Sequence, residues 1–356
     1  MYWRRRVKCS NLILLIILIS ASMFVILKGS LPHILITRIF ADERNMKESR
    51  AMAEDVNSVT NGQIWASNYT KAKYGRPITG KDHLIVYNRV PKCGSRTLLA
   101  LFEQLKNEKR LATVISTQGF HVPRDLGFAG GQRALKDRIN QAIDQIKHLP
   151  SAIEGHFRFH SVDRLKNPIY INIIREPLDR MVSQYYYRRF GDGQTSDRFL
   201  KKELNRVIDS EYLNQTFNDC VLSDRTECSN PRITSFQTSF FCGIHPNCSI
   251  PSAWTLAEAK RKVDEDYTVV GVAEDYSGFL SVLEKLMPDL FDGIAAKYQM
   301  QSEGQNKTES TKSIKLSPPS PEVRKIMRER LDMEYKFYEF VKERFEQLKI
   351  NVGVMS

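Results

Sequence analysis

A short loop that could hold a phosphate lies between an apolar run and a predicted helix. The stretch from Leu84 to Thr97 reads LIVYNRVPKCGSRT, and the chain turns through Pro91 and Gly94 on either side of Lys92. Free N–H groups at the start of a helix attract an anion, and the lysine adds a point charge at the same place. The loop lacks the G-x-x-x-x-G-K-[ST] pattern of ATP and GTP enzymes, and its shortness predicts a site for one terminal phosphate. A structural turn before a helix would explain the same letters.

A second stretch could bind another anionic group. It reads INIIREPLDRMVSQYYY, with Arg175 at the end of an apolar run and Ser183 two turns into the following helix. An arginine makes charge-assisted hydrogen bonds to an anion, and the serine could converge on the same group. Alternatively, Arg175 pairs with Glu176 or Asp179 and Ser183 is a surface residue. This segment alone is compatible with both interpretations.

The elements that must position these residues alternate between strands and helices. Such alternation predicts an α/β fold with a mostly parallel sheet flanked by helices. Ligands of these sheets bind beyond the carboxyl ends of the strands, where the loop 90–95, Arg175 and the residues after 152–157 would lie. The predicted strands are 83–89, 111–116, 169–175 and 268–272, and the predicted helices are 96–106, 130–148, 253–263, 276–286 and a long last helix from Ser320.

The N-terminus predicts a membrane anchor. A basic cluster, RRRVK at 4–8, precedes an apolar stretch within 10–28 that approaches the length of a bilayer span. The basic cluster should stay in the cytosol, so residues 1–9 form a cytosolic tail and the rest of the chain is lumenal. We expect a stem over 29–80 and a catalytic domain over 81–350. A cleaved signal peptide is the alternative, although a clear small-x-small cleavage site is missing.

Cysteine usage agrees with a lumenal domain. Four cysteines form two closely spaced pairs, which in an oxidising compartment predict two short-range disulfides, although three pairings can be drawn. A zinc site is the weaker alternative, because the spacings do not match C-x(2-4)-C. The paired cysteines are Cys220, Cys228, Cys242 and Cys248. Glycosylation sequons stand at Asn68, Asn214, Asn306 and Asn247, the last beside a cysteine of a predicted disulfide.

The charge balance indicates an acidic partner. The chain carries 53 Lys plus Arg against 41 Asp plus Glu, a formal net charge of +12. A basic lumenal protein does not meet nucleic acid, so acidic glycans are the polyanions that it can attract. A solvated surface with surplus lysine is the other interpretation.

Four segments carry a family resemblance. YNRVPKCGSRT, PIYINIIREPLDRMVSQYYYRRFGD, ECSNPR...FFCGIHPNC and MEYKFYEFVKERF resemble the glycosaminoglycan uronosyl 2-O-sulfotransferases, over roughly residues 83–348. KCGSRT and ECSNPR are closer to the chondroitin/dermatan uronyl branch, which includes insect Pipe, than to the heparan branch. The resemblance implies a metal-independent enzyme of the Golgi membrane that transfers sulfate from PAPS, 3'-phosphoadenosine 5'-phosphosulfate, to the 2-hydroxyl of a uronic acid in an acidic glycan. It also implies a homotrimer.

The resemblance implies individual roles as well. The catalytic base falls on His156 in EGHFRF, with His160 as the nearest rival, because a histidine can take the proton of a sugar hydroxyl near neutral pH. Lys92 would stabilise charge on the leaving phosphate, and Arg175 with Ser183 would hold the 3'-phosphate. The heparan enzymes have a second histidine where this chain has Glu154, whose role stays open. The implied donor-binding residues are Arg89, Lys92, Cys93, Gly94, Ser95, Arg96, Thr97, Arg175 and Ser183.

An acidic acceptor requires basic side chains, and a surface charge is the alternative role for each candidate. The candidates by location are Arg158, Arg188, Arg189 and Arg198. A polar loop over 301–320 corresponds in position to a family segment that closes over the ligands.

Two rival functions remain. A metal-dependent lumenal glycosyltransferase would use Asp264-Glu-Asp266 as its D-x-D motif, and a non-catalytic glycan-binding protein could share the same fold.

Overall fold

A five-stranded parallel sheet carries the fold. Its strands run in the spatial order β2-β3-β1-β4-β5, and every neighbouring pair is parallel, so all five strands end at one edge. The strands are β1 (Leu84–Asn88), β2 (Thr113–Ser116), β3 (Ser151–Gly155), β4 (Ile169–Ile174) and β5 (Tyr267–Val272). This computed structural model describes residues 75–80, 82–117, 127–162, 168–191, 214–303 and 317–354.

Helices surround the sheet. In chain order they are α1 (Ser95–Asn107), α2 (Gly127–Asp144), α3 (Pro177–Phe190), α4 (Phe217–Leu222), α5 (Thr226–Ser229), α6 (Pro231–Thr234), α7 (Phe236–Cys242), α8 (Ala253–Glu265), α9 (Tyr276–Leu286), α10 (Pro288–Phe291), α11 (Ile294–Glu303), α12 (Pro321–Arg330) and α13 (Asp332–Val352). Short 3-10 turns occupy Pro246–Ser249 and Ala273–Asp275. The predicted α/β fold with a parallel sheet is confirmed.

Burial explains the apolar runs in the sequence. β1, β3, β4 and β5 are buried along their whole length, which parallel strands covered on both faces require. α8, α9 and α13 pack against β5, and α1 packs against β2. Upstream of β1, the side chain of Ile78 also belongs to the core, and its N–H donates to the carbonyl of Leu286 at 2.6 Å.

The predicted long last helix is wrong in one respect, because it consists of two helices that meet at Leu331. Val323 and Met327 of α12 pack with α3 and α4 in a small apolar cluster, whereas Phe337 and Val341 of α13 pack in the main core beneath the sheet. Because the chain changes direction at Leu331, apolar residues of one continuous amphipathic sequence pack into both clusters.

Both disulfides have the predicted local pairing, Cys220 with Cys228 and Cys242 with Cys248. The first lies in the small cluster with α3 and α12, and the second joins the end of α7 to the 3-10 turn. Several predictions fall outside the described residues: the tail 1–9, the anchor 10–28, most of the stem 29–80, Asn68 and Asn306, and most of the 301–320 loop. Within the described ranges, no helix has the length and apolar character of a membrane span.

Candidate active site

Strand register brings the two central side chains of the site together. β1 and β3 are parallel neighbours, and Asn88 lies opposite Gly155 at their carboxyl ends. The next residue of each strand, Arg89 and His156, therefore leaves the sheet at the same point. A Cβ on Gly155 would lie only 1.7 Å from Oγ1 of Thr117, so the glycine permits β2 and β3 to converge here.

The loop after β1 has the backbone of an anion site. Lys92 and Gly94 both have positive φ angles, 68° and 78°, and Gly94 is the N-cap of α1. A glycine supplies no side chain to cap the first turn, which leaves that task to a ligand. Nζ of Lys92 lies 4.2 Å from the centre of the Tyr187 ring, on α3. A left-handed conformation at a lysine is strained, as is common where a loop is shaped for function.

Arg89 and His156 contact each other twice. Nη1 of Arg89 lies 2.9 Å from Nε2 of His156, and the carbonyl oxygen of Arg89 lies 2.9 Å from Nδ1. Because a carbonyl can only accept and a guanidinium can only donate, His156 carries its proton on Nδ1 and has a lone pair on Nε2. The Arg89 side chain is buried, and Glu154 Oε2 accepts from its Nε at 2.5 Å. Its Nη2 has no hydrogen-bond partner among the described residues.

These contacts keep His156 neutral. His156 is exposed as a whole residue, but both ring nitrogens lie in partly buried contacts with Arg89. Desolvation of the ring is the larger cause and the positive charge of Arg89 the second, and together they lower the pKa of His156 to about 4. Near neutral pH the imidazole therefore has an unprotonated nitrogen, which a general base requires.

A second cation lies on the other side of β1. Arg175 directly follows β4, and its Nη1 reaches the backbone carbonyl of Lys92 at 3.5 Å. Within the described ranges, no carboxylate pairs with this guanidinium; Glu176 instead accepts from the Asp179 N–H at the start of α3. Ser183 lies in the second turn of the same helix and is 5% exposed. The two predicted anion-binding segments thus meet.

Sequence reasoning missed the residue that joins them. Gln237, fully buried at the start of α7, accepts from the N–H of Arg175 at 3.1 Å and donates to its carbonyl at 2.9 Å. Its Oε1 also lies 3.6 Å from the thiol of Cys93 in the loop. Glu334 of α13 in turn accepts from the backbone of Gln237 at 2.9 Å and of Thr238 at 2.7 Å. A glutamine and a glutamate in helical patterns gave no signal of this role.

The remaining loop residues divide by burial. Ser95 is buried, with Oγ 3.5 Å from Nη1 of Arg89, whereas Arg96 and Thr97 are half-buried in the first turn of α1. Cys93 was predicted among the donor-binding residues, but its side chain is fully buried and faces Gln237. Burial raises the pKa of this thiol to about 12, so it stays protonated. Only the backbone of Cys93 can face a ligand.

The structure also shows the surroundings of the rival base and of the arginines considered for acceptor binding. His160, the rival base, is buried, its ring packs on Phe157, and its Nδ1 lies 3.3 Å from the carbonyl of Arg158. Arg189 was a candidate for acceptor binding by location only, with a surface charge as the alternative; its guanidinium is in fact buried and paired with Glu227. Among the other acceptor candidates, Arg188 is exposed, and Arg158 donates to Ser249 Oγ at 3.2 Å; Arg198 lies outside the described residues.

The D-x-D letters of the glycosyltransferase alternative lie at the opposite edge of the sheet. Asp264 and Asp266 immediately precede β5, at the amino ends of the strands. Arg344 donates to Asp264 Oδ1 at 3.1 Å, and Lys262 Nζ is 3.3 Å from Asp266 Oδ2. Both carboxylates therefore serve in ion pairs remote from the loop after β1.

The fold and this edge of the sheet define a sulfotransferase-type protein, and comparison with known families agrees. The Sulfotransferase family model matches residues 76–341, so the chain belongs to that family. It is 34% identical to human uronyl 2-sulfotransferase over 279 residues, 76% of this chain. That match spans 64% of the relative's length.

Two further relatives carry heparan-type names. A Drosophila melanogaster heparin sulfate O-sulfotransferase is 31% identical over 277 residues, 75% of this chain and 73% of the relative. Human heparan sulfate 2-O-sulfotransferase 1 is 28% identical over 279 residues, 76% of this chain and 72% of the relative. The resemblance to the uronosyl 2-O-sulfotransferases is confirmed.

Proposed function

We propose that this chain transfers sulfate from PAPS to the 2-hydroxyl of a uronic acid in a glycosaminoglycan or a related acidic glycan. The observation that carries the proposal is the contact between the Arg89 guanidinium and a neutral His156 where β1 and β3 end, at the start of the loop that contains Lys92. The names of the relatives, uronyl 2-sulfotransferase and heparan sulfate 2-O-sulfotransferase, supply the class of acceptor.

The residues at this edge fit a donor with two separate anionic ends. Nη2 of Arg89 has no hydrogen-bond partner among the residues that the structure describes, and Gly94 offers no side-chain cap to α1. Together with the charge of Lys92, these features suit a phosphosulfate. Arg175, which lacks a carboxylate partner within the described ranges, suits a phosphate a short distance away, with Ser183 on the adjoining helix. PAPS supplies an activated sulfuryl group whose leaving group is a phosphate.

Each of the chain's own residues then has a separate role in sulfate transfer. His156 takes the proton of the sugar hydroxyl at Nε2 after Nη1 of Arg89 has released that atom. The sugar oxygen bonds to sulfur as the bond from sulfur to the bridging phosphate oxygen breaks, and adenosine 3',5'-bisphosphate leaves. Lys92 and the first turn of α1 stabilise the charge that develops on this phosphate. Arg89 keeps a terminal nitrogen available for the sulfuryl group or the acceptor.

The test is transfer from sulfate-labelled PAPS to chondroitin, dermatan and heparan chains by the full protein, followed by disaccharide analysis. We expect label in disaccharides with 2-O-sulfated uronic acid, and the same rate with and without a chelator. PAPS binding with no label in any glycan would identify a non-catalytic glycan-binding protein. Chelator-sensitive transfer of a sugar from a nucleotide sugar would replace the proposal with the glycosyltransferase.

We further propose a type II protein of the Golgi membrane. The basic cluster at 4–8 before the apolar stretch, two disulfides and the sequons support this. Of the two sequons within the described ranges, Asn214 is exposed and Asn247 is half-buried in a 3-10 turn. Protection of residues after 28 from protease in intact vesicles, with a mobility shift on glycosidase treatment, tests the orientation. Light scattering tests the predicted trimer.

A further inference from the structure

Glu154 forms a buried ion pair at the centre of the site. Its side chain and that of Arg89 are each 4% exposed, and its Oε2 lies 2.5 Å from Arg89 Nε. Two charges taken out of water are costly to hold, and replacing such a pair by apolar residues often stabilises a protein. The pair thus calls for a reason other than stability.

The geometry of the guanidinium supplies that reason. The group is planar and rigid, so holding Nε at Glu154 sets the direction of both terminal nitrogens. One of them, Nη1, meets Nε2 of His156 at 2.9 Å, while Nη2 has no hydrogen-bond partner among the described residues. Glu154 and His156 are two residues apart at the end of β3 and do not need to touch, because Arg89 from β1 lies between them.

We infer that Glu154 is a positioning residue that acts on His156 through Arg89. It keeps Nη1 of the Arg89 guanidinium against Nε2 of the imidazole, so that the proton stays on Nδ1 and the lone pair on Nε2. When the imidazole turns Nε2 from Nη1 toward the acceptor hydroxyl, Nε of Arg89 stays anchored at Glu154, so the guanidinium does not follow the ring. This role for Glu154 rests on the proposed function only in its kinetic consequence.

Two substitutions separate position from charge. Glu154→Gln keeps the length of the side chain and an oxygen for Arg89 Nε but removes the charge. Glu154→Asp keeps the charge but shortens the reach by one methylene. A positioning role predicts that the aspartate variant is the more damaged, whereas a role for charge alone predicts the reverse order. Neither change removes the polar group that faces Arg89.

The first readout is the titration of His156 in the full chain labelled with 15N-histidine, assigned with His156→Gln. In the parent and in Glu154→Gln, we expect a neutral ring with the proton on Nδ1 to well below pH 6. In Glu154→Asp, Arg89 withdraws, and the midpoint should rise by about one pH unit or more toward the ordinary value of a histidine. An aspartate variant with the parental tautomer and midpoint overturns the inference, as does a Gln variant that shifts equally.

The second readout is turnover. Glu154→Asp should lower kcat by about 10- to 100-fold with the KM for PAPS within about threefold, and Glu154→Gln should recover most of the loss. The matched control is Glu227→Asp, which shortens the carboxylate paired with the buried Arg189 and should leave kcat unchanged within about twofold. If the parent transfers no sulfate, the proposed function fails, while the histidine titration still decides the role of Glu154.

Discussion

Replacing Gln237 by leucine should lower both the stability of the fold and the affinity for a nucleotide that carries a 3'-phosphate. Leucine has nearly the same volume but can neither accept from the N–H of Arg175 nor donate to its carbonyl. A buried polar group left without a partner costs about 1–3 kcal/mol, so two such groups should cost about 2–6 kcal/mol in the free energy of unfolding. Urea titration measures this loss directly.

The same change should act on one end of the nucleotide. Arg175 keeps its side chain but loses the contacts that fix its backbone, so the affinity for adenosine 3',5'-bisphosphate should fall about tenfold, or about 1.4 kcal/mol. Binding of adenosine 5'-phosphate, which lacks the 3'-phosphate, should change much less. Calorimetry with both ligands gives the ratio of affinities, which isolates the effect at Arg175 from any general loosening.

A matched control is Gln347→Leu, on the exposed face of α13, where the side chain donates to Asn351 Oδ1 at 2.9 Å in the next turn. Its stability should stay within about 0.5 kcal/mol of the parent. The reasoning would be refuted if Gln237→Leu were as stable as this control and bound both nucleotides with the parental ratio.

Three further predictions concern the scaffold of the site. Gly155→Ala should lower the free energy of unfolding by about 1–3 kcal/mol, because the added Cβ meets Thr117, and urea titration should show partial recovery with Thr117→Gly. Replacing Cys220 and Cys228 together by serine should cost about 2–3 kcal/mol, measured in the same way; no change would argue against the pairing. The pKa of His156 is lower in the folded chain than in the unfolded one, so its contribution to stability is present above pH 6.5 and is lost as pH falls toward 4. His156→Gln should therefore flatten the fall in stability across that interval.

Local pattern was enough to predict the frame of the site. The apolar runs of β1 and β4 identified buried parallel strands, and the turn through Gly94 into α1 identified the loop. Histidine composition could not separate His156 from His160. That distinction depends on the register of Asn88 with Gly155, a contact between distant parts of the chain.

The buried polar residues that the sequence did not predict share one physical cause. Gln237, Glu334 and Arg189 occupy ordinary helical positions, where a polar residue usually faces water. Each is buried because its partner comes from a distant segment: the backbone at Arg175, the start of α7, and Glu227 in α5. Helical periodicity does not report such partners, and it likewise could not show that the sequence around Leu331 serves two apolar clusters.

The central claim is that His156 accepts the proton of the acceptor hydroxyl during sulfate transfer. Its most direct test compares the parent and His156→Ala for single-turnover transfer of labelled sulfate to the best glycan and for binding of adenosine 3',5'-bisphosphate. We expect the rate to fall by about 10²–10⁴-fold while the nucleotide dissociation constant changes less than about threefold. A variant that transfers sulfate at the parental rate would contradict the account.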